Sequence, residues 1–511
     1  MEDEHVKPIS LKALVDKESK KVIFAESNEE FIDVLFSFLT MPMGTIIRLI
    51  RNRPPTMGIG CMNNLYECIE NLDVQLFRTE ACKKMLLYPR NAAADQCRRL
   101  KLNVDETEPL RYFLGEGGHC PHLSHYKDVI CRCGECINIE KFLPEKKCLA
   151  QDRGVFVKEM TRFMISDELR VMPPSTEETL SLLLNLGLID GMTTEECNLD
   201  IGIDEILTLL KMSLVSKTPL TETFLKHNPT PELDQKYFDM GNYIKSGMGE
   251  PASDVRGKTF MIKLTVSKSK KMVCYAETSE AFVDLLFSFL TVPLGYAVKE
   301  MHTGNWKGCI NHLYNSIHEL DAEQFLKSNE HKAMLLSPKL APNFGYENHP
   351  LGIEEDKHPQ YYYVFSGSKL ISDESIVPRR GISALTVVDP KSSSKDTATG
   401  GFVKGPAMFS ITDNLIIAPI SPISCLSLLR KLKVPLDDIE VRLVKVGYEE
   451  LWPLHARLTR APPVAAMFTS SIILPNAIPL SSLNNAYYSC HEFYYCCGTI
   501  FYLLGCTDGE P

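Results

Sequence analysis

The residues with the most chemistry in them lie in one stretch, HCPHLSHYKDVICRCGEC, which carries His119, Cys120, His122, His125, Cys131, Cys133 and Cys136. Thiolates and imidazoles at short spacing make a tetrahedral zinc site, and Cys133 with Cys136 has the C-x-x-C spacing that brings two sulfurs to one ion. Gly134 permits the tight turn between them. The expected ligands are Cys120, Cys131, Cys133 and Cys136, with His122 or His125 as substitutes, and the cofactor is a structural zinc. Against this, Cys131 and Cys133 stand closer than the usual knuckle ligands, and no second C-x-x-C follows. Reduced loop thiols without metal are the alternative reading. A redox or nucleophilic Cys–His pair is a third, although this C-x-x-C opens no thioredoxin-like strand and helix.

No other pattern competes. A serine elbow, a paired-carboxylate signature, a kinase set and a metalloprotease helix are all missing, so no catalytic residue is assigned. Gly58 and Gly60 form only a fragment of a phosphate-binding loop, with no third glycine and no following lysine. The acidic run Asp190 to Glu205 lacks the ligand order of a calcium loop and reads as a solvated edge. Lys17, Lys20 and Lys21, echoed by Lys268, Lys270 and Lys271, fall where a hairpin turn is expected.

The elements that position these residues come in two copies. KESKKVIFAESNEEFIDVLFSFLTMPMG, from Lys17, returns as KSKKMVCYAETSEAFVDLLFSFLTVPLG, from Lys268. The match continues through Cys61, Asn63, Leu65, Tyr66, Leu72, Asp73 and Phe77, which meet Cys309, Asn311, Leu313, Tyr314, Leu320, Asp321 and Phe325, and ends at Pro89 and Pro338. A weaker repeat follows each copy: FVKEMTRFMISDEL from Phe156 and FVKGPAMFSITDNL from Phe402, each leading into a leucine-rich stretch. Self-similarity in the order first, second, first, second reads as tandem duplication of a two-module unit. Leu11–Val15 and Val22–Ala25 read as a hairpin, and Phe31–Leu39 as a helix buried on most sides behind a Ser27/Glu30 capping box. Pro42 and Gly44, like Pro293 and Gly295, are expected to end that helix. The second module reads as strand, turn at Asp167 or Asp413, strand and helix. In the second unit the stretch aligned with the cysteines is Pro378 to Ser383, where Gly381 survives and the three thiols do not.

These patterns give an α+β class, with a hairpin-plus-helices module followed by a smaller strand-strand-helix module in each unit. The expected divisions are 8–112 and 153–225 for the first unit's modules, with a Cys/His-rich insert at 113–150, and a linker at 226–257. The second unit divides into 258–345 and 400–468 around a Cys-free insert and linker at 346–399. An atypical tail, 469–511, follows, its composition shifted to Tyr, Cys and Ser; it reads as the product of an alternative or misassigned terminal exon, the other reading being a genuine packed or partner-binding tail.

A chain of 511 residues with 44% hydrophobic and 23% charged residues supports several cores. Its formal charge of -10 opposes phosphate backbones and anionic lipid, so nucleic acid is a poor partner. Met1 is followed by acidic residues and no apolar leader, and no run reaches the ~20 residues of a membrane span. The expectation is an intracellular protein, in cytoplasm or nucleus, without membrane insertion and with reduced thiols.

The repeated block, FAE, then F-x-D-x-LFSFLT-x-P-x-G, then NLY and MLL-x-P, resembles the plant family called domain of unknown function 674. Phe24–Glu26, Phe31–Gly44, Asn64–Tyr66 and Met85–Pro89 carry the resemblance in the first unit, and Tyr275–Glu277, Phe282–Gly295, Leu313–Tyr314 and Met334–Pro338 in the second. It covers about residues 8 to 468. The resemblance implies a plant source and brings no activity, substrate or cofactor. The family's cysteine-rich insert resembles Cys120–Cys136, but Phe113 and Leu114 stand where a further cysteine is expected. The leading functional expectation is a non-enzymatic scaffold presenting paired surfaces to a protein partner. The alternatives are a ligand-binding or enzymatic cleft where Asp33, Asp284, Asp73 and Asp321 converge, and a zinc-dependent nucleic-acid binder.

Overall fold

Alternation along Ile9–Asp16 puts Ile9, Leu11, Ala13 and Val15 inside and their neighbours outside, the period of a strand with one face on a core. The computed structural model describes residues 8–447, apart from 55–59, 106–109, 117–119, 132, 145–153, 160, 186–192, 226–258, 271, 302–307, 346–350, 373–379, 393–399 and 413, together with 477–478. The first half contributes β1 (Ile9–Asp16), β2 (Lys21–Ser27), β3 (Tyr112–Gly115), β4 (His122–Ser124), β5 (Val129–Ile130), β6 (Cys136–Lys141), β7 (Phe163–Ser166), β8 (Val171–Met172) and β9 (Thr194–Ile201). The second contributes β10 (Phe260–Ser267), β11 (Met272–Ser279), β12 (Tyr361–Val364), β13 (Lys369–Ser372), β14 (Ile382–Val387), β15 (Met408–Ile411), β16 (Ile417–Pro419) and β17 (Ile439–Val446), with β18 (Ala477–Ile478) beyond them.

The strands form three sheets, and with the helices between them they make an α+β protein. One sheet runs β8-β7-β2-β1-β9 and another β16-β15-β11-β10-β17-β18, so the first order recurs in the second with one strand added. The registers correspond as well: Lys12 faces Glu26 as Lys263 faces Glu277, with an irregularity after Leu14 and after Thr265. The strands of the smaller modules build no sheets of their own. β7 pairs with β2 and β9 with β1, so each hairpin is completed by chain from the far end of its own half.

Helix Glu29–Ser37 and the 3-10 turn Phe38–Thr40 follow β2, and every residue from Phe31 to Thr40 is buried. The capping box expected at Ser27 and Glu30 does not form. Ser27 is the last residue of β2, paired with Phe163, Asn28 occupies the cap position, and Glu30 reaches Lys101 at 2.8 Å. The helical run ends at Thr40, ahead of Pro42 as expected, but Gly44 makes no turn there and the two residues have a second role. They open the helix Met43–Ile50, and Pro42 lies against Pro293 of the other half, where Met43 N–H donates to Val292 O (2.9 Å) and Leu294 N–H to Met41 O (2.9 Å). A Cβ on Gly44 would meet Leu290 O at 3.1 Å, and one on Gly295 would meet Leu39 O at 2.9 Å, so each glycine admits the other half's backbone.

The halves clasp each other reciprocally. Lys404 N–H donates to Leu76 O and Arg78 N–H to Phe402 O, while Lys158 N–H donates to Phe325 O and Lys327 N–H to Phe156 O. One hydrophobic core holds Phe31, Phe36 and Phe38 together with Phe282, Phe287 and Phe289. Burying apolar surface shared between the halves drives their association, at roughly 25 cal/mol per Å².

The third sheet, β13-β12-β14-β4-β3-β6-β5, is made from both inserts. β14 of the second half pairs parallel with β4 of the first, with Thr386 beside His122 and Val387 beside Leu123. The linker 226–257 lies outside the described residues, as does the tail 469–511 except for β18, which pairs with β17. No helix among the described residues is long and apolar enough to cross a membrane.

Candidate metal centre

The cysteine stretch becomes a hairpin. β5 and β6 pair through Val129 with Ile137 and Ile130 with Cys136, and the loop between them carries Cys131 and Cys133. Gly134 has φ +86° and donates to Cys131 O at 2.9 Å, and Cys131 N–H donates to Glu135 O at 3.0 Å. That left-handed turn is one only glycine takes freely. Gly381 in the second half also takes a positive φ, +89°, where the cysteines are absent.

The loop folds both of its sulfurs toward Cys120, which precedes β4. Cys120 Sγ lies 3.2 Å from His122 Nδ1, 3.4 Å from Cys131 Sγ and 3.3 Å from Cys133 Sγ, and the four ligand atoms all lie within 4.8 Å of one another. Zn–S and Zn–N distances of about 2.3 and 2.0 Å place tetrahedral ligand atoms roughly 3.5–3.8 Å apart, so the cluster has the dimensions to hold a metal ion. Cys131 and Cys133 are closed as a disulfide in this structure. Phe113, Val129 and Ile137 pack behind Cys120 and Cys131 with Val388 of the second half, and burial pushes the Cys120 thiol up.

Two of the residues expected as ligands stand elsewhere. Cys136 is the first residue of β6 and is exposed; Ile137 is fully buried, and strand alternation sends its neighbour to the opposite face. His125 belongs to an aromatic junction between the inserts. Its Nδ1 lies 3.2 Å from Arg111 O, its ring stacks on His358 and meets Tyr112 and Tyr361 edge-on, and burial holds its pKa well below the usual value. The C-x-x-C spacing pointed to Cys136; the strand register favours His122.

The four shared aspartates do not converge. Asp33 accepts from Val155, Phe156 and Val157 N–H, and Asp284 from Phe402 and Val403 N–H, so each buried carboxylate anchors an irregular segment of its own half. Burial raises them to about 6 and about 7. Asp73 and Asp321 are exposed and cap short helical turns through Gln75 N–H and Glu323 N–H. Asp167 accepts from Thr221 N–H and Oγ1, pinning the turn between β7 and β8, while Asp413 lies outside the described residues.

A surface feature escaped the sequence reading. Helix Thr176–Asn185 exposes Leu180 (54%) and Leu184 (66%), and the corresponding helix Pro422–Lys431 exposes Ile423 (78%) and Leu426 (40%). The opposite faces pack down, Leu182 and Leu183 beside Phe24 and Met164, and Cys425 and Leu429 beside Tyr275. Leu180 and Leu184, like Ile423 and Leu426, sit one helical turn apart and so share a face. Leucine-rich runs signalled these helices; which leucines face outward depends on the sheet beneath.

No curated protein and no solved structure matches the chain. The family described as a protein of unknown function, DUF674, matches residues 5–449, spanning both halves and both inserts. The chain belongs to the DUF674 family.

Proposed function

We propose that this protein is a non-enzymatic scaffold, produced by tandem duplication, that docks apolar protein segments on two like faces. The observation that carries the reading is the pair of exposed apolar stripes, Leu180 with Leu184 and Ile423 with Leu426, on corresponding helices. A helix turns its apolar residues to solvent at a cost, and contiguous apolar patches mark docking sites. The recurring order of five strands and the matching hairpin registers support duplication, and the net charge of -10 favours a protein partner over nucleic acid. Replacing Leu180, Leu184, Ile423 and Leu426 together with Glu leaves thermal stability nearly unchanged, each exposed change being worth about 0.5 kcal/mol or less. In affinity capture from cell extract, the substituted protein loses partners that the native chain retains. Capture of the same set by both proteins, or of no reproducible partner by the native chain, sinks the reading.

We also propose that the thiol cluster binds a structural zinc through Cys120, His122, Cys131 and Cys133. A closed set of three thiolates and one imidazole suits zinc and leaves no position for substrate. Pro121 O accepts from Thr386 N–H (2.9 Å) and Leu123 O from Val388 N–H (2.7 Å), so the ligand-bearing segment is bonded to the second half. The ion would tie the insert hairpin to the seam between the halves. Elemental analysis of reduced full-length protein is expected to find one zinc per chain, lost in Cys120→Ser and kept in Cys136→Ser. Zinc lost equally from both variants would return Cys136 to the ligand set in place of His122.

A further inference from the structure

Two demands fall on the same sulfurs. Cys131 and Cys133 supply half of the ligand atoms in the cluster, and they are also joined as a disulfide. Thiolate is the form that binds zinc, and a disulfide has none to offer. We infer that the cluster is a redox-gated zinc centre, in which oxidation of Cys131 with Cys133 expels the ion and their reduction restores the site. This inference rests on the zinc reading above and adds the gate to it.

The placement of the groups supports such a cycle. Cys133 is exposed at the tip of the hairpin loop, whereas Cys131 is fully buried, so a small oxidant in solution meets Cys133 first. The loop backbone is held by Gly134 N–H to Cys131 O and Cys131 N–H to Glu135 O while the disulfide is closed. Cys120 and His122 are still in place beside the oxidised pair, with Cys120 Sγ 3.4 and 3.3 Å from the two sulfurs. Reopening the disulfide therefore regenerates four ligands on a frame already formed.

With hydrogen peroxide as oxidant, the Cys133 thiolate attacks one peroxide oxygen; the S–O bond forms as the O–O bond breaks, giving a sulfenic acid and hydroxide. The Cys131 thiolate then attacks the Cys133 sulfur, forming the S–S bond, breaking the S–O bond and releasing a second hydroxide. Two protons from solvent convert both hydroxides to water, and the two thiolates have given two electrons to one peroxide. Zinc, left with Cys120 and His122, passes to solvent. Two molecules of a small thiol reverse the change by exchange, leaving as their own disulfide.

The ligand segment Cys120–Leu123 is also the strand partner of Thr386–Val388, so the gate reports on the seam between the halves. The test uses full-length protein, reduced, loaded with zinc chloride and desalted, then treated with hydrogen peroxide while a metallochromic dye follows free zinc and peptide mass spectrometry follows the thiols. Zinc release in step with a 131–133 disulfide, and reuptake after dithiothreitol, is the expected result. Cys136→Ser behaves as the native chain, showing that loss of an exposed thiol alone does not disturb the site. Zinc held after the 131–133 disulfide has formed, or released by oxidation elsewhere, overturns the gate and leaves the zinc reading standing. A reduced protein that takes up no zinc overturns both.

Discussion

Replacing Asp284 with alanine is expected to lower the melting temperature by on the order of 10 °C, through a loss of about 3–5 kcal/mol. The carboxylate is buried and its Oδ1 accepts from both Phe402 N–H and Val403 N–H at 2.8 Å. Those residues continue into Lys404, whose N–H reaches Leu76 O in the other half, so two orphaned donors would loosen a segment that also clasps the first half. Asp284→Asn keeps an oxygen for both donors and is expected to fold. It should also change the response to pH. Burial raises the folded-state value of Asp284 to about 7, above the ordinary carboxylate value, so the folded protein holds this proton more tightly than the unfolded chain. That contribution to stability is present below about pH 4 and is lost as pH rises toward 7. The difference in melting temperature between Asp284→Asn and the native protein should therefore move in favour of the variant between pH 5 and pH 8. A difference independent of pH would mean that the buried carboxyl does not titrate in this range. Asp33→Asn makes the contrast. Asp33 uses Oδ2 for Val155 N–H (2.6 Å) and Oδ1 for Phe156 and Val157 N–H, so an amide nitrogen would confront a donor and the substitution should destabilise at every pH.

Gly295→Ala is expected to cost about 1–3 kcal/mol or more by pressing the halves apart. Its Cβ would stand 2.7 Å from Leu335 O and 2.9 Å from Leu39 O, and neither backbone oxygen can swing aside as a flexible side chain would. Gly44→Ala, with nearest approaches of 3.0 Å to the Pro89 ring and 3.1 Å to Leu290 O, should cost less. Urea unfolding measures the difference, and hydrogen exchange locates it: the amides of Met43 and Leu294, which bond across the seam, should exchange faster in Gly295→Ala. Unchanged protection at both amides, with stability preserved, would show that the seam yields to a methyl group and that the glycine serves only its own helix.

The sequence by itself determined the local pieces. Short β-prone runs around a charged turn named the hairpin β1–β2, the apolar run Phe31–Leu39 named a helix buried on most sides, and the two quoted blocks located corresponding elements in each half. The stretch from Cys120 to Cys136 was visible as the place for metal or thiol chemistry, because ligand types and spacing are local properties. Tertiary structure decided which partners those pieces meet. The C-x-x-C spacing favoured Cys136, yet the register of β6 buries Ile137 and so turns Cys136 outward, while β4 brings His122 beside Cys120. Pro42 and Gly44 look like helix-ending residues along the chain, and only the fold shows Gly44 crowded by Pro89 of its own half and by Leu290 O of the other. Asp33 and Asp284 suggested a shared cleft as isolated letters; folded, each is consumed by the backbone of a segment more than a hundred residues away. The physical reason is common to all three. Periodicity and turn chemistry act over a few residues, whereas close approaches, registers and the satisfaction of buried polar groups are fixed by contacts between distant segments, which a single chain's pattern does not specify.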